Sequence, residues 1–201
     1  TVMMIHKFYE STIDDIPSRP DILSARLYKL LHGPDFSLVK YSIGHAFDFI
    51  KGMKQIVSVF LNDDAPLNFK KQLQKAEVLI EKTQFLIVSQ KEKPADMSNA
   101  EMLALAYFIR NHYKQNLLEL INIYSQMDAW YGMAMAVNEY KLAFPVFISS
   151  DKPVLKAKQL YHILLQNPVA YDVELNQKNN FIFLTGANMA GKSTFIKAVG
   201  S

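Results

Sequence analysis

A short glycine-containing segment near the end of the sequence has residue types and a spacing suited to binding phosphate. Residues 186–193 read Gly-Ala-Asn-Met-Ala-Gly-Lys-Ser, which fits the pattern G-x-x-x-x-G-K-[ST]. Glycine permits the backbone conformations that curl a chain around an anion, and successive N–H groups then point inward. In this pattern Lys192 contacts the β- and γ-phosphates of a nucleotide, and the Ser193 hydroxyl binds Mg²⁺. The segment therefore predicts a loop that binds nucleotide phosphates.

The residues on either side of this loop have the patterns that such a loop needs. Phe181-Ile-Phe-Leu184 is a short apolar run that predicts a buried strand, and residues 192–199 have the composition of a helix start. Strand, loop and helix in this order form the usual setting of a phosphate-binding loop, because the helix N-terminus also attracts anions. The alternative interpretation is a glycine turn that carries an incidental lysine.

The elements that must position this loop change in type near residue 143. Before it, proline-free stretches favour long helices, because proline inside a helix removes a hydrogen bond and clashes with the preceding turn. After it, short apolar runs such as Phe144-Pro-Val-Phe-Ile148 predict strands. We therefore expect a mainly α fold, with an all-helical domain over residues 1–142 and the first strands and loop of an α/β domain over residues 143–201.

Apolar spacing and capping residues define the expected helices. One stripe of apolar residues at three- and four-residue steps predicts a helix over about 98–127; its members are Met102, Leu105, Ile109, Tyr113, Leu117, Leu120, Tyr124 and Met127. Ser98 and Glu101 stand three apart at its start, as in a capping box. A looser stripe predicts a helix over about 67–90, and the short link 91–97 between the two predicts an antiparallel hairpin. Shorter helices are expected over about 21–32, with Ser18 and Asp21 as candidate caps, and over about 36–61.

Composition excludes several classes of protein. The chain has no cysteine, which excludes disulfide frameworks, thiol catalysis and cysteine-based zinc sites. Its formal net charge of +3 is too small to predict a nucleic-acid-binding surface. No apolar run is long enough to span a bilayer, so no membrane partner is expected and the cytoplasm is the expected location.

The residues inside the loop resemble those of one particular family. Thr185-Gly-Ala-Asn-Met-Ala-Gly-Lys-Ser-Thr194 is similar to the Walker A segment T-G-P-N-M-G-G-K-S-T of the MutS family of DNA mismatch-repair ATPases, with Asn188-Met189 as the distinguishing pair. Ala187 and Ala190 stand where that family has proline and glycine. The stretches that precede this segment in the family are also matched here, by residues 128–134, Phe144-Pro-Val-Phe147, Tyr161-His162 and Asn167-Pro-Val-Ala170.

The resemblance implies an ABC-type ATPase that binds ATP with Mg²⁺ and acts as a homodimer through its ATPase domain. By this resemblance Pro168, Val169 and Ala170 contact the adenine, and Ser193 binds the Mg²⁺ of the nucleotide. The phosphates are contacted by one continuous set of residues: Gly186, Ala187, Asn188, Met189, Ala190, Gly191, Lys192, Ser193 and Thr194. The helices before residue 143 correspond in type and order to the family's core and lever.

Two departures from the family pattern bear on the expected activity. The acidic pair and the signature segment that ATP hydrolysis needs are not in this sequence, so we assign no catalytic residue and expect no hydrolysis by this chain alone. The seven residues 91–97 are too few to hold the DNA clamp that mismatch-repair members insert between their lever helices. The expected function is a part in mismatch repair or related DNA metabolism, with DNA as a partner of the full-length protein and Lys91 and Lys93 at the hairpin link as a candidate contact.

Two alternatives stay open from the residues alone. In the first, the helices form an ATP-switched protein-interaction module without direct mismatch recognition. In the second, the loop belongs to a kinase or to an unrelated ABC ATPase, which the sequence following such a loop would distinguish.

Overall fold

The computed structural model describes residues 2–13 and 15–200, and its chain divides into two compact units, Thr1–Gly132 and Met133–Ser201. Within those described residues the protein is mainly helical, with one two-stranded antiparallel sheet. The boundary between these two units, after Gly132, lies inside a helix, and the domain boundary expected near residue 143 stays a prediction. None of the described helices is both long and apolar enough to cross a bilayer.

The helices of the first unit follow one another with short connections. Their bounds are α1 Val2–Glu10, α2 Ile22–Leu31, α3 Gly33–Phe60, α4 Leu67–Ile80, α5 Leu86–Gln90, α6 Asn99–His112 and α7 Lys114–Glu139. Single 3₁₀ turns lie at Thr83–Phe85 and Pro94–Asp96. Helix α3 is the centre of the unit, since Val39, Ile43, Phe47 and Ile50 on one of its faces are completely buried.

Two capping predictions are confirmed by hydrogen bonds. The Ser98 hydroxyl accepts from the Glu101 N–H at 3.2 Å, and the Glu101 carboxylate accepts from the Ser98 N–H at 2.7 Å. Both otherwise unpaired donors at the start of α6 are thereby satisfied. Asp21 caps α2 in the same way, with Ser24 as its reciprocal partner. Local side-chain chemistry therefore sets both helix starts.

The helix predicted over 98–127 is interrupted at Tyr113. This residue has φ −126° and ψ 6°, and it separates α6 from α7. Its ring packs edge-on against Phe85 with centroids 4.9 Å apart and stacks on Phe108 at 5.3 Å, and its hydroxyl donates to the Leu79 carbonyl. The apolar spacing is correct on both sides of the break, but burying this aromatic ring takes precedence over a continuous helix.

The helix predicted over 67–90 also ends early, at Ile80. Phe85 is completely buried, and the chain turns through a 3₁₀ segment to bury it before α5 begins. The Lys54 ammonium of α3 donates to the Phe85 carbonyl at 3.1 Å and to the Ser89 hydroxyl at 2.7 Å. A side chain of the neighbouring helix thus binds the chain at the turn between α4 and α5.

The expected antiparallel hairpin is present. Contacts between its two arms run in opposite directions along the chain, through the pairs Phe69–Trp130, Lys75–Glu119, Leu79–Tyr113 and Lys91–Glu101. The link between the arms lies against α3, because the Lys51 ammonium donates to the Lys91 and Glu92 carbonyls at 3.0 and 2.6 Å. The proposed distal contact at 91–97 therefore lies against the helical core.

Helix α1 is attached to α6 by one arginine. The Arg110 guanidinium donates to the Phe8 and Ser11 carbonyls, both at 2.6 Å. Its Cζ lies 5.4 Å from the centroid of the Phe8 ring. The last carbonyls of a helix have no partner within the helix, so a cation at this position satisfies them and complements the helix dipole.

The second unit contains strands β1 Leu155–Leu160 and β2 Tyr171–Leu175 and helix α8 Lys192–Gly200. The strands pair antiparallel with Ala157 opposite Val173, and the register shifts between Ala157 and Leu160. Gln159 has φ 54° at this bulge, and its N–H donates to the Asp172 carboxylate at 2.8 Å. A side chain thereby replaces the strand hydrogen bond that the bulge removes.

Two predicted strands, residues 144–148 and 181–184, are not strands in this structure. Both segments lack a ladder, and their side chains are exposed, with Phe147 at 93% and Phe183 at 78%. An apolar run becomes a buried strand only when neighbouring strands pair with it and other elements cover its faces. The described residues supply neither for these two segments, so the predicted α/β sheet is not formed.

Candidate nucleotide-binding loop

The backbone of residues 186–191 has the conformations that the motif requires. Gly186 has φ 144° and Gly191 has φ 83°, a region that L side chains rarely adopt. A Cβ at Gly186 would also lie 3.4 Å from the Ala190 Cβ. Met189 has φ 67°, which is uncommon for a residue with a side chain. The chain therefore makes a tight curl that ends directly at a helix.

Helix α8 begins at Lys192, immediately after this curl. Its first regular hydrogen bond runs from the Phe195 N–H to the Gly191 carbonyl at 2.9 Å. The N–H groups of a first helical turn have no partner within the helix, and the helix dipole adds partial positive charge there. The curl and the helix start together provide the backbone arrangement on which phosphate binds.

The Lys192 side chain folds back into the loop. Its ammonium donates to the Gly186 carbonyl at 2.7 Å and to the Ala187 carbonyl at 2.6 Å. The Lys192 ammonium therefore lies inside the loop formed by residues 186–191. Both acceptors of the ammonium are neutral carbonyl oxygens. A negatively charged phosphate oxygen would bind the ammonium more strongly, because a hydrogen bond between two opposite charges is stronger than one to a neutral acceptor.

The remaining loop residues lie in the open. Asn188, Met189 and Ser193 are exposed, and Thr194 is half-buried in the first turn of α8. Ser193 follows the lysine directly, as the motif requires of a hydroxyl that binds Mg²⁺. Among residues 2–13 and 15–200, no cluster of three or more His, Asp or Glu side chains forms a metal site. The assignment of Ser193 to the Mg²⁺ of a bound nucleotide stays a prediction.

The predicted adenine-contacting residues lead into strand β2. Pro168 is half-buried, whereas Val169 is 84% exposed and Ala170 is exposed. The next residue, Tyr171, stacks its ring on Phe195 of α8, with centroids 5.0 Å apart and planes at 29°. This stack brings the end of the 168–170 segment to the first turn of α8, the helix that follows the loop.

Sequence reasoning missed this aromatic stack. The only available signal was an aromatic residue directly after the adenine-contacting segment and another in the first turn of the following helix. The Tyr171 hydroxyl is buried and has no hydrogen-bond partner among the residues that the structure describes. His162, which also resembles a family residue, accepts a hydrogen bond from the Leu164 N–H at 3.3 Å and lines a pocket with Lys197 and Gly200. The hydrogen bond that His162 accepts therefore belongs to a local turn.

Comparisons with known proteins agree with the resemblance in the loop. The DNA mismatch repair protein MutS of Thermotoga sp. strain RQ2 is 31% identical over 116 residues, which cover 57% of this chain and 14% of that protein. The MutS protein of Pseudothermotoga lettingae is 34% identical over 85 residues, 41% of this chain and 10% of that protein. The endonuclease MutS2 of a Geobacillus species is 30% identical over 90 residues, 44% of this chain and 11% of that protein.

Other comparisons found nothing: no family model matches the chain, and no solved structure matches it. The similarity to MutS and MutS2 proteins nevertheless extends over about half of the chain. The chain is therefore MutS-like. It spans a small part of the curated relatives it matches, 14% of the length of the first.

Proposed function

We propose that this chain carries the phosphate-binding loop of a MutS-like ATPase and that ATP and Mg²⁺ bind at residues 186–194. The observation that carries the proposal is the Lys192 ammonium held inside a curl of positive-φ residues at the start of α8. The similarity to MutS proteins supports the same assignment. In this proposal the ATPase segment begins at residue 143 and follows a helical core and lever over residues 1–142.

Each group in the loop has a role in this proposal. The backbone N–H groups at the start of α8 bind phosphate oxygens, and Lys192 exchanges its two carbonyl partners for the β- and γ-phosphates. Ser193 directs its hydroxyl to the Mg²⁺ of the nucleotide. Pro168, Val169 and Ala170 contact the adenine. Mg²⁺ neutralises phosphate charge when it is bound.

Nucleotide binding by the chain tests this proposal. We expect a fluorescent ATP analogue to bind with Mg²⁺, and we expect Lys192→Ala to weaken that binding about tenfold or more, because a charge-assisted hydrogen bond to phosphate is worth about 1.5–3 kcal/mol. Lys178→Ala is the control, since Lys178 is an exposed lysine of the same unit that lies outside the loop. Equal binding by the two variants would show that residues 186–194 are not the site.

For the whole protein we propose a role in DNA mismatch repair or related DNA metabolism, as a cytoplasmic homodimer joined through its ATPase domain. The support is that matched relatives are named DNA mismatch repair proteins. Binding of duplex and branched DNA by the full-length protein, with and without ATP, tests this role. Affinity that falls steeply with salt is expected, since phosphate contacts release counterions; undetectable or salt-insensitive binding would argue against DNA as the partner.

One observation favours the alternative of an ATP-switched protein-interaction module. The hairpin link 91–97 is short and lies against α3, where Lys51 binds two of its carbonyls. Under this alternative the same DNA titration gives no binding at any salt concentration. Lys192→Ala is still expected to weaken ATP binding.

A further inference from the structure

Two parts of the proposed nucleotide site are separate in the sequence and need a tertiary contact to act together. The phosphate-binding loop occupies residues 186–194, whereas the segment 168–170, which is proposed to contact the adenine, precedes strand β2. One nucleotide reaches both parts only if they are held at a fixed distance from each other. The side chains that fix this distance therefore decide whether base and phosphates bind together.

Phe195 contacts both parts, one through its backbone and the other through its ring. Its N–H donates to the Gly191 carbonyl at 2.9 Å, which closes the first turn of α8 on the last glycine of the loop. Its ring stacks on Tyr171, with centroids 5.0 Å apart and an angle of 29° between the ring planes. Tyr171 directly follows Ala170 in the sequence. One residue of α8 thereby connects the phosphate-binding loop to the end of the segment 168–170.

The sheet holds the other side of this contact. Tyr171 is the first residue of β2 and lies opposite Leu160 of β1. The Asp172 carboxylate accepts from the Gln159 N–H at 2.8 Å, which ties the start of β2 to the bulge in β1. Val173 shares a face of β2 with Tyr171, because strand side chains alternate, and it is buried. The start of β2 is therefore held by the sheet on one side and by the aromatic stack on the other.

The ring of Tyr171, and not its hydroxyl, makes the contact with α8. The hydroxyl is buried and has no hydrogen-bond partner among the residues that the structure describes. A buried hydroxyl without a partner opposes folding, because it has lost its hydrogen bonds to water. Phenylalanine at this position would keep the stack without that cost, so Tyr171→Phe is a conservative variant of the contact.

We propose that Tyr171 and Phe195 are a positioning pair that makes the loop selective for a nucleotide over an inorganic polyphosphate. This proposal rests on the function proposed above. With the stack formed, the segment 168–170 is held next to the first turn of α8, and one ATP binds through its base and its phosphates. Without the stack, the loop still binds phosphate, but the segment is in place in a smaller fraction of chains. The apparent affinity for ATP falls with that fraction.

Comparing ATP with inorganic tripolyphosphate separates positioning of the base from binding of the phosphates. Both ligands are titrated with Mg²⁺ and followed by calorimetry. We expect Tyr171→Leu to weaken ATP binding about fivefold, the factor that corresponds to one aromatic pair, and to leave tripolyphosphate binding unchanged. Phe195→Leu removes the same stack from the side of α8, and we expect the same result from it.

Two further variants serve as controls. Tyr171→Phe keeps the stack and is expected to bind both ligands as the parent chain does. Phe147→Leu is the matched control for the loss of a ring, because Phe147 belongs to the same unit and is 93% exposed. Circular dichroism checks that each variant keeps its helices. If one leucine variant does not fold, the other still removes the stack.

Three results would overturn the role of the pair. Unchanged ATP affinity in a folded leucine variant would show that the stack does not position the segment 168–170. Equal weakening of ATP and tripolyphosphate would make the stack a structural support of α8 only. Weak ATP binding by Tyr171→Phe would assign the effect to the hydroxyl.

Failure of the proposed function gives a different result. In that case the parent chain binds neither ligand, or Lys192→Ala leaves both affinities unchanged, and the proposal for Tyr171 and Phe195 is overturned with it. Loss of selectivity is thus distinguished from loss of the phosphate site by the tripolyphosphate titration.

Discussion

Single residues of the candidate loop adopt backbone conformations that glycine adopts without strain. Gly186 and Gly191 do so at little cost, whereas Met189 at φ 67° carries a strain of about 1 kcal/mol. Lys192 then holds the curl closed through two carbonyls. The proposed phosphate binding therefore depends on a few backbone angles and one ammonium group.

A pair of glycine substitutions separates the conformational role of glycine from its small size. Gly191→Ala forces a side chain into φ 83°, and we expect nucleotide affinity to fall at least fivefold because about 1–2 kcal/mol of strain is introduced. Gly52→Ala is the control inside α3, where a Cβ would meet no atom within 4 Å. There we expect the free energy of unfolding to rise by about 0.5–1 kcal/mol, measured by denaturant titration with Trp130 fluorescence. Unchanged nucleotide affinity in Gly191→Ala would argue against the loop as the site.

At the scale of elements, capping side chains within the same turn decide where a helix starts, whereas packing in the core decides where a helix is interrupted. The capping box at Ser98 and Glu101 is satisfied within four residues of chain. The break at Tyr113 depends instead on Phe85 and Leu79, which are distant in sequence. The apolar stripe of residues 102–127 is thus divided between two helices without changing which of its faces is buried.

The capping box at α6 makes a prediction for stability and its pH dependence. The Ser98 N–H and hydroxyl and the nearby Lys91 ammonium hold the pKa of Glu101 below its usual value. A carboxyl whose pKa is lowered on folding adds stability above its unfolded pKa, and this stability is lost as pH falls through the folded pKa. Ser98→Ala is expected to cost about 1 kcal/mol at neutral pH.

The cost of Ser98→Ala should therefore shrink as the pH falls through the lowered folded-state pKa of Glu101, below which this carboxyl is protonated in both the folded and the unfolded state. Urea titrations of the parent chain and of Ser98→Ala across this range measure the difference. Ser58→Ala is a suitable control, because the Ser58 hydroxyl donates to the Gln55 carbonyl in the last turn of α3 and takes no part in the capping box. A cost for Ser98→Ala that is the same at pH 3 and pH 7 would contradict the reciprocal cap.

At the scale of the whole molecule, the two units differ in how much core they contain. Nearly all buried apolar side chains belong to Thr1–Gly132, and the buried apolar side chains described in Met133–Ser201 are Val173 and Ala198. Apolar burial is the main stabilising contribution to folding, so the second unit is expected to open at a lower free energy than the first.

Amide hydrogen exchange tests this difference. We expect the amides of β1, β2 and α8 to exchange much faster than those of α3, whose buried face crosses the centre of the first unit. Addition of ATP and Mg²⁺ should slow exchange at α8 if the proposed nucleotide site is correct, because a ligand stabilises the state that binds it. Similar protection in both units without ligand would contradict the expected order of stability.

The sequence by itself determined the features that depend on neighbours a few residues away. These are the loop at 186–194, the capping residues Asp21 and Ser98, the spacing of the buried helical faces and the resemblance to MutS. Such features depend on backbone angles and hydrogen bonds within a turn or two, which residue types and spacing specify directly.

Only the tertiary structure decided the features that need a distant partner. Contacts between separate helices decide three such features: the interruption at Tyr113, the turn that buries Phe85 and the pocket lined by Phe69 and Trp130. The exposed apolar residues at 144–148 and 181–184 show the opposite case, in which no partner strand is present among the described residues. Their composition favours strands, but a strand forms only where another strand completes its hydrogen bonds, and that partner is a property of the assembled fold.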